Sequence, residues 1–176
     1  MLFSDSSVFV RGTADGNFVI IVLHVDDQNI FATSLTLIDD FKAALRAQYG
    51  IEDLGETKYF LRIQVTRDRA KRTIKIWQPK YIQEILLRFD LPSFGRVTTP
   101  TYPTDFSQLS KDQCPESEEA KAAAALYPYR QLIGSLMYLM VGTRPDLAQP
   151  LSVLSQFLVN PGRVHWEAAL RLLAYV

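Results

Sequence analysis

Between Phe18 and Thr33 the chain reads FVIIVLHVDDQNIFAT, and the rest of the chain is arranged around that stretch. Ile20, Ile21, Val22 and Val25 are β-branched, which favours an extended strand, and the apolar run is too short for a confident helix. Asp26, Asp27, Gln28 and Asn29 supply turn chemistry, and Ile30 and Phe31 restart an extended segment. The expectation is a buried hairpin with two carboxylates at its tip. Two readings of that tip stay open on residue type alone. Asp and Asn are ordinary turn residues, because their side chains bond the nearby backbone. Side-by-side carboxylates also repel unless a cation lies between them, which is the arrangement of a metal site.

The 176 residues allow one domain or two small lobes, and 48% apolar content is enough for a core. A single cysteine, Cys114, excludes an internal disulfide, and with only two histidines a Cys/His zinc cluster is implausible. No stretch reaches the roughly 18 uncharged apolar residues of a membrane span. The start, MLFSDSSVFVRG, lacks the basic region and apolar segment of a secretion signal. The composition suits an intracellular protein, neither secreted nor membrane-borne. The helical pattern at the end stops in mid-stride at Val176, as in a piece of something longer.

Val8 to Arg11 reads as a short strand, and Thr13 to Asn17 as a turn into the central strand. Leu35 to Tyr49 has helical spacing, with Ser34 as cap, Gly50 as stop and Asp39, Asp40, Lys42 and Arg46 on a solvated face. Tyr59 to Thr66 and Thr73 to Trp77 read as two strands around a charged turn, Arg67 to Arg72. Lys80 to Phe89 is a short amphipathic helix with Ile82, Ile85, Leu86 and Phe89 inward. Pro92, Pro100 and Pro103 break up the chain, and Ser107 to Ala125 is a polar connector with at most part of a helix. Helical patterns follow over Tyr129 to Val141, from near Pro145, and over Val164 to Val176, with Pro150 expected to kink or delay the second. Tyr138, Leu139, Leu151 and Leu154 are expected in the core, His165 and Trp166 in packing, and Arg144 and Asp146 in a local pair. Strands first and helices later indicate an α+β fold with an antiparallel sheet.

Nineteen basic and nineteen acidic residues cancel, but not evenly along the chain. From Lys58 to Arg96 ten basic residues (Lys58, Arg62, Arg67, Arg69, Lys71, Arg72, Lys75, Lys80, Arg88, Arg96) face three acids, a segment of +7, and the rest of the chain is −7. A basic hairpin beside Trp77 and Tyr81 suits a phosphate backbone, or is simply a solvated turn.

The HVDD of residues 24–27, between two apolar strands, resembles the YVDD tip of reverse transcriptases, and the surrounding blocks resemble the copia-type branch of LTR retrotransposons. IEDLGETKYFLRIQV (Ile51 to Val65), QPKYIQEILLRF (Gln78 to Phe89) and VTTP (Val97 to Pro100) are similar to that branch. YRQLIGSLMYL (Tyr129 to Leu139), TRPDLA (Thr143 to Ala148), LSQF (Leu154 to Phe157) and HWEAALRLLAYV (His165 to Val176) follow in the family's order. The resemblance implies a partial polymerase palm over residues 1–78, with a catalytic-type β-hairpin. A helical thumb and connection region would follow over 79–176, with the polar connector near 103–125. It implies templated DNA synthesis by an RNA-directed DNA polymerase, in which a primer 3′-hydroxyl attacks the α-phosphate of a deoxynucleotide. Two Mg²⁺ ions, roughly 3.5–4 Å apart, stabilise the entering and leaving oxygens in such sites. Hard oxygen ligands suit that ion. Asp26 and Asp27 then become the candidate catalytic and metal-holding residues, Asp26 as the family's second catalytic aspartate and Asp27 in support of the site. His24, Arg67, Arg69, Lys71, Arg72, Lys75 and Lys80 become candidate contacts to an RNA or DNA primer-template. The compartment implied is a cytoplasmic particle or the nucleus.

The departures matter too. The family's third carboxylate, on an earlier strand, has no match, and Asp5 lies in a different stretch. The fingers are also missing, as is the downstream RNase H domain of the same polyprotein, so the chain alone is expected not to polymerise. His24 replaces the family's tyrosine, Arg62 stands where glycine is usual, and Pro150 replaces a small residue. Two rival readings are a non-catalytic remnant that at most binds nucleic acid, and a receiver-type signalling domain, which requires a parallel sheet.

Overall fold

The computed structural model describes residues 3–91, 97–100 and 108–176. The expected breaks at Pro92 and Pro103, the start of the polar connector and the basic Arg96 lie outside them. The chain divides into two compact units, residues 1–57 and 58–176.

In the first unit β1 (Val8–Gly12), β2 (Phe18–His24) and β3 (Asp27–Ala32) form an antiparallel sheet in chain order, followed by α1 (Leu35–Gln48). The β1–β2 loop closes on Thr13, whose N–H donates to Asn17 O at 2.8 Å, and Gly16 takes the φ of +80° that the turn requires. The Asn17 side chain accepts from Thr33 Oγ1 at 2.8 Å, pinning that loop to the end of β3. Ser34 begins α1 in extended backbone but makes no side-chain cap bond. On the face expected to be solvated Arg46 is exposed while Lys42 is half-buried, and the two hold Asp53 at 2.8 and 2.9 Å, folding the loop after the helix back along it. Thr57 Oγ1 then donates to Asn29 Oδ1 at 2.7 Å, returning the loop to β3.

The expected burial of the central hairpin does not occur. Along β2 and β3 only Val19 is buried, at 8% exposure, and α1 buries no residue fully. The physical reason is size. Three strands and one helix in 57 residues bury too small a fraction of their surface to dry both faces of a sheet.

The second unit opens with another antiparallel sheet, β4 (Tyr59–Phe60), β5 (Ile63–Asp68) and β6 (Thr73–Trp77). The single strand expected over Tyr59 to Thr66 is split by a turn at Leu61 and Arg62, both at positive φ, while Arg67 and Asp68 extend β5. Then come α2 (Pro79–Arg88), α3 (Glu118–Ala124), α4 (Tyr129–Gly142), α5 (Ala148–Ser155) and α6 (Arg163–Tyr175). Pro79 sits at the first turn of α2, where its missing N–H costs nothing. A 3₁₀ turn over Pro145–Leu147 delays α5 so that Pro150 also falls in a first turn.

The core sits here. Tyr81 and Ile85 of α2 and Phe89 at its C-terminal cap recur every four residues, and Leu132, Ile133, Leu136 and Leu139 form one face of α4. Leu151 and Leu154 of α5 and Ala169, Leu170, Leu172 and Leu173 of α6 complete it, each buried Leu contributing about 1.5–3 kcal/mol by leaving water. Buried hydroxyls are satisfied: Tyr129 donates to Leu154 O at 2.8 Å, and burial pushes its phenol pKa up. Tyr138, expected in this core, is instead 41% exposed, and its hydroxyl donates to Leu61 O at 2.7 Å. Arg144 and Asp146 do pair, through Nε and Nη2 at 2.9 and 2.8 Å. Tyr175 Oη adds a third bond to Asp146 at 3.0 Å, and these donors hold the carboxyl below its usual range.

Both sheets are antiparallel, so the receiver-type reading, which needs a parallel sheet, is removed.

Candidate functional site

β2 and β3 pair from Val19↔Ala32 through Ile21↔Ile30 to His24↔Asp27. Only Val25 and Asp26 remain to make the turn, which is therefore one step earlier than the Asp26 to Asn29 turn expected from residue type. A two-residue connection needs backbone twisted to positive φ, and Val25 adopts φ +53°. Val25 is 81% exposed, so the β-branched side chain takes this strained conformation without packing to hold it. Asp26 completes the bend, and Asp27 is the first residue of β3.

The pairing fixes which side chains share a surface. Cross-strand partners point to the same face, so Asp27 and His24 stand together, on the face that also carries Val22 and Asn29. Asp26, Asp27 and His24 are all exposed. Among the described residues neither carboxylate is engaged in a hydrogen bond or ion pair, so four oxygens remain open to solvent or to a cation. A hard divalent ion such as Mg²⁺ accepts that donor set, usually keeping several waters. No group of three or more His, Cys, Asp or Glu suited to a metal occurs among the described residues.

The other candidates lie in the second unit. Arg67 is in β5, opposite Ile74, and Lys75 is in β6, opposite Thr66. The β5–β6 turn is fastened by Asp68, which accepts from the Lys71 N–H at 2.9 Å and lies 3.6 Å from Lys71 Nζ. Arg72 completes this turn at φ +54°, its N–H donating to Arg69 O at 3.3 Å. Lys80 opens α2. The structure thus gathers Asp26, Asp27 and His24 at one tip, and Arg67, Arg69, Lys71, Arg72 and Lys75 on one hairpin with Lys80 just after it.

Three ring contacts involving this second sheet, its first turn and α2 were not foreseen from composition. Lys75 Nζ lies 4.4 Å from the Trp77 ring centroid and Lys80 Nζ 5.3 Å from that of Tyr59. Arg62 lies over Tyr81 at 5.4 Å and pairs with Glu84 at 2.7 Å. The i, i+2 spacing of Lys75 and Trp77 within a strand was the available signal for the first.

Comparison with known proteins places these features in context. Residues 3–103 match the family model described as reverse transcriptase (RNA-dependent DNA polymerase). The retrovirus-related Pol polyprotein from transposon TNT 1-94 of Nicotiana tabacum is 38% identical over 174 residues, across 99% of this chain. The Pol polyproteins from transposons RE1 and RE2 of Arabidopsis thaliana are 32% and 30% identical, each across 98% of it. The chain spans only 13% of the tobacco polyprotein and 11% of each Arabidopsis one. No solved structure matches it. Among the described residues no helix is long and apolar enough to cross a membrane.

Proposed function

Since this chain belongs to the reverse transcriptase (RNA-dependent DNA polymerase) family, in the copia-type branch of LTR retrotransposons, we propose that it forms part of a templated DNA polymerase. In this reading residues 1–78, with both hairpins, are palm and residues 79–176 are thumb and connection. Asp26 and Asp27 are the residues that hold Mg²⁺. When bound, the ion supplies charge stabilisation for the oxygens that enter and leave the phosphorus during nucleotidyl transfer. The chain's own contribution is placement. The tight bend aims Asp26 outward, and the β2–β3 register keeps Asp27 beside it and His24 beside Asp27. Preorganised charge of this kind needs no rearrangement as the reaction proceeds, which is how such sites lower a barrier. The cations of the second hairpin contact the phosphates of primer and template.

The observation that carries this reading is the pair of uncommitted carboxylates at a two-residue bend between antiparallel strands, in a chain of this family. The test is incorporation of deoxynucleotides on a primed RNA template by the polyprotein containing this segment. Asp26→Asn should abolish incorporation while leaving primer-template binding intact. Arg67→Ala should instead weaken binding with a smaller effect at saturating primer-template. The 176-residue chain alone is expected to give no incorporation, having two carboxylates to offer and no surface assigned to the nucleotide. Salt-dependent binding of an RNA–DNA hybrid, with incorporation indifferent to Asp26→Asn, would favour the non-catalytic reading.

A further inference from the structure

Tyr59 and Trp77 are both register partners of Gln64, so their rings stand on one face of the second sheet, and Thr66 and Lys75 continue it. The opposite face carries Ile63, Val65, Ile74 and Ile76. Tyr59 is 50% exposed, Trp77 is partly exposed, and Lys75 and Lys80 are exposed. Each ring has an ammonium above it, Lys75 over Trp77 and Lys80 over Tyr59. The single acid on this face, Asp68, is at the far turn and is engaged by Lys71.

We propose that this ring-and-lysine face takes an unpaired nucleic-acid strand, with bases against Trp77 and Tyr59 and phosphates on Lys75 and Lys80. The inference rests on the reading of this hairpin as a nucleic-acid contact and adds which strand state it holds. Charge complementarity selects the occupant. Among the described residues from Lys58 to Asp90, the segment that carries this face has nine basic residues against three acidic ones, which suits a polyanion. An apolar partner would strip water from two ammonium groups without pairing them. An acidic peptide matches the charge but brings no flat surfaces to the rings. A duplex hides its base faces in its own stack, whereas an unpaired strand presents them to aromatic side chains. A lysine resting on a ring is in a holding position. Drawn outward by a phosphate, it uncovers the ring for a base.

The chain has two tryptophans, Trp77 and Trp166, the latter stacked on Tyr127 at 5.5 Å. In the full chain carrying Trp166→Phe, which keeps a ring on Tyr127, Trp77 is the sole indole reporter. Titration with a short oligothymidine should quench its fluorescence to saturation. Lys75→Gln and Lys80→Gln, both at exposed positions, should each weaken binding several-fold and lower the salt slope by about 0.7. Trp77→Leu should weaken it about tenfold, read by anisotropy of a labelled oligothymidine. The same oligothymidine annealed to its complement should quench poorly. Equal quenching by the duplex, or affinity unmoved by both lysine variants, overturns the proposal. If an RNA–DNA hybrid binds with salt dependence but oligothymidine neither quenches nor binds, this inference falls and the broader reading stands. If neither nucleic acid binds, both fall.

Discussion

Val25 occupies a position that its own chemistry disfavours. In the left-handed region Cβ crowds the following carbonyl, at roughly 1–2 kcal/mol per residue, and branching at Cβ makes this worse. Glycine removes the clash but adds about 0.5–1 kcal/mol of backbone entropy to be lost on folding. The steric term is the larger, and at 81% exposure the valine side chain has little packing to forfeit. Val25→Gly is therefore expected to stabilise the first unit by about 0.5–1 kcal/mol, measured as a raised urea midpoint for its transition. A lowered midpoint would mean that the valine side chain is held by something at the tip. Arg62, also at positive φ, differs in kind. Its guanidinium reaches Glu84 and the Tyr81 ring, while Tyr138 grips the carbonyl of neighbouring Leu61. There the strain is offset by contacts, so replacement by the glycine usual in the family should bring little gain.

At the scale of elements, the start of α6 shows what distant packing adds. Gly162 has φ −86°, which any residue adopts, yet a Cβ there would meet Gln113 O at 2.1 Å. Space, not conformation, demands glycine. The Gly162 N–H donates to His165 Nδ1 at 2.9 Å, and His165 is fully buried, stacked on Phe157 at 3.9 Å. Its Nε2 has no hydrogen-bond partner among the described residues, and burial lowers its pKa, with the Ser110 backbone partly opposing. A base whose folded pKa is depressed keeps its full stabilisation above the unfolded value, near 6.5. As pH falls below that, the unfolded chain takes up a proton that the folded chain refuses, and stability drops. Thermal melts from pH 7.5 to 5 should show this loss, and His165→Gln should flatten the profile. An unchanged slope in the variant would assign the loss elsewhere. Periodicity alone reveals α6 and its inward leucines, since both are local patterns. It does not reveal Gln113 against Gly162, because that contact spans distant segments. The two misread turns share a related cause. Neither Val25 nor Leu61–Arg62 carries the Gly or Asn that marks a left-handed bend, whereas Asp26 to Asn29 advertise a turn that strand pairing overrides. The carboxylate tip was legible because a motif of adjacent acids between apolar runs is local. The ring face of the second sheet needed the register.

At the scale of the whole molecule the decisive fact is where burial lies. Of the buried apolar residues described, Val19 alone belongs to the first unit, and the rest, from Tyr81 onward, belong to the second. Opening free energy follows local burial, because exposing a segment costs in proportion to the apolar area it returns to water. The two units should therefore not open together, and a single two-state fit should fail. Amide hydrogen exchange read by mass spectrometry on the intact chain is expected to be fast across β1 to β3 and α1. Across α4 and α6, where Leu132, Leu136, Leu139, Leu172 and Leu173 are fully buried, exchange should be slower by several orders of magnitude. Leu136→Ala, which empties a site in that core, should cost about 2–5 kcal/mol and accelerate exchange in the helical unit. Peptides from residues 18–32 should be unaffected by it. Matching protection in both units, or a Leu136→Ala effect spread evenly to the hairpin, would contradict the division. The consequence for function is direct. A bend on a weakly buried sheet keeps its geometry only as firmly as that sheet is held, so, with Asp26 and Asp27 as the proposed Mg²⁺ ligands, Mg²⁺ affinity should follow the stability of the first unit and not that of the helical core.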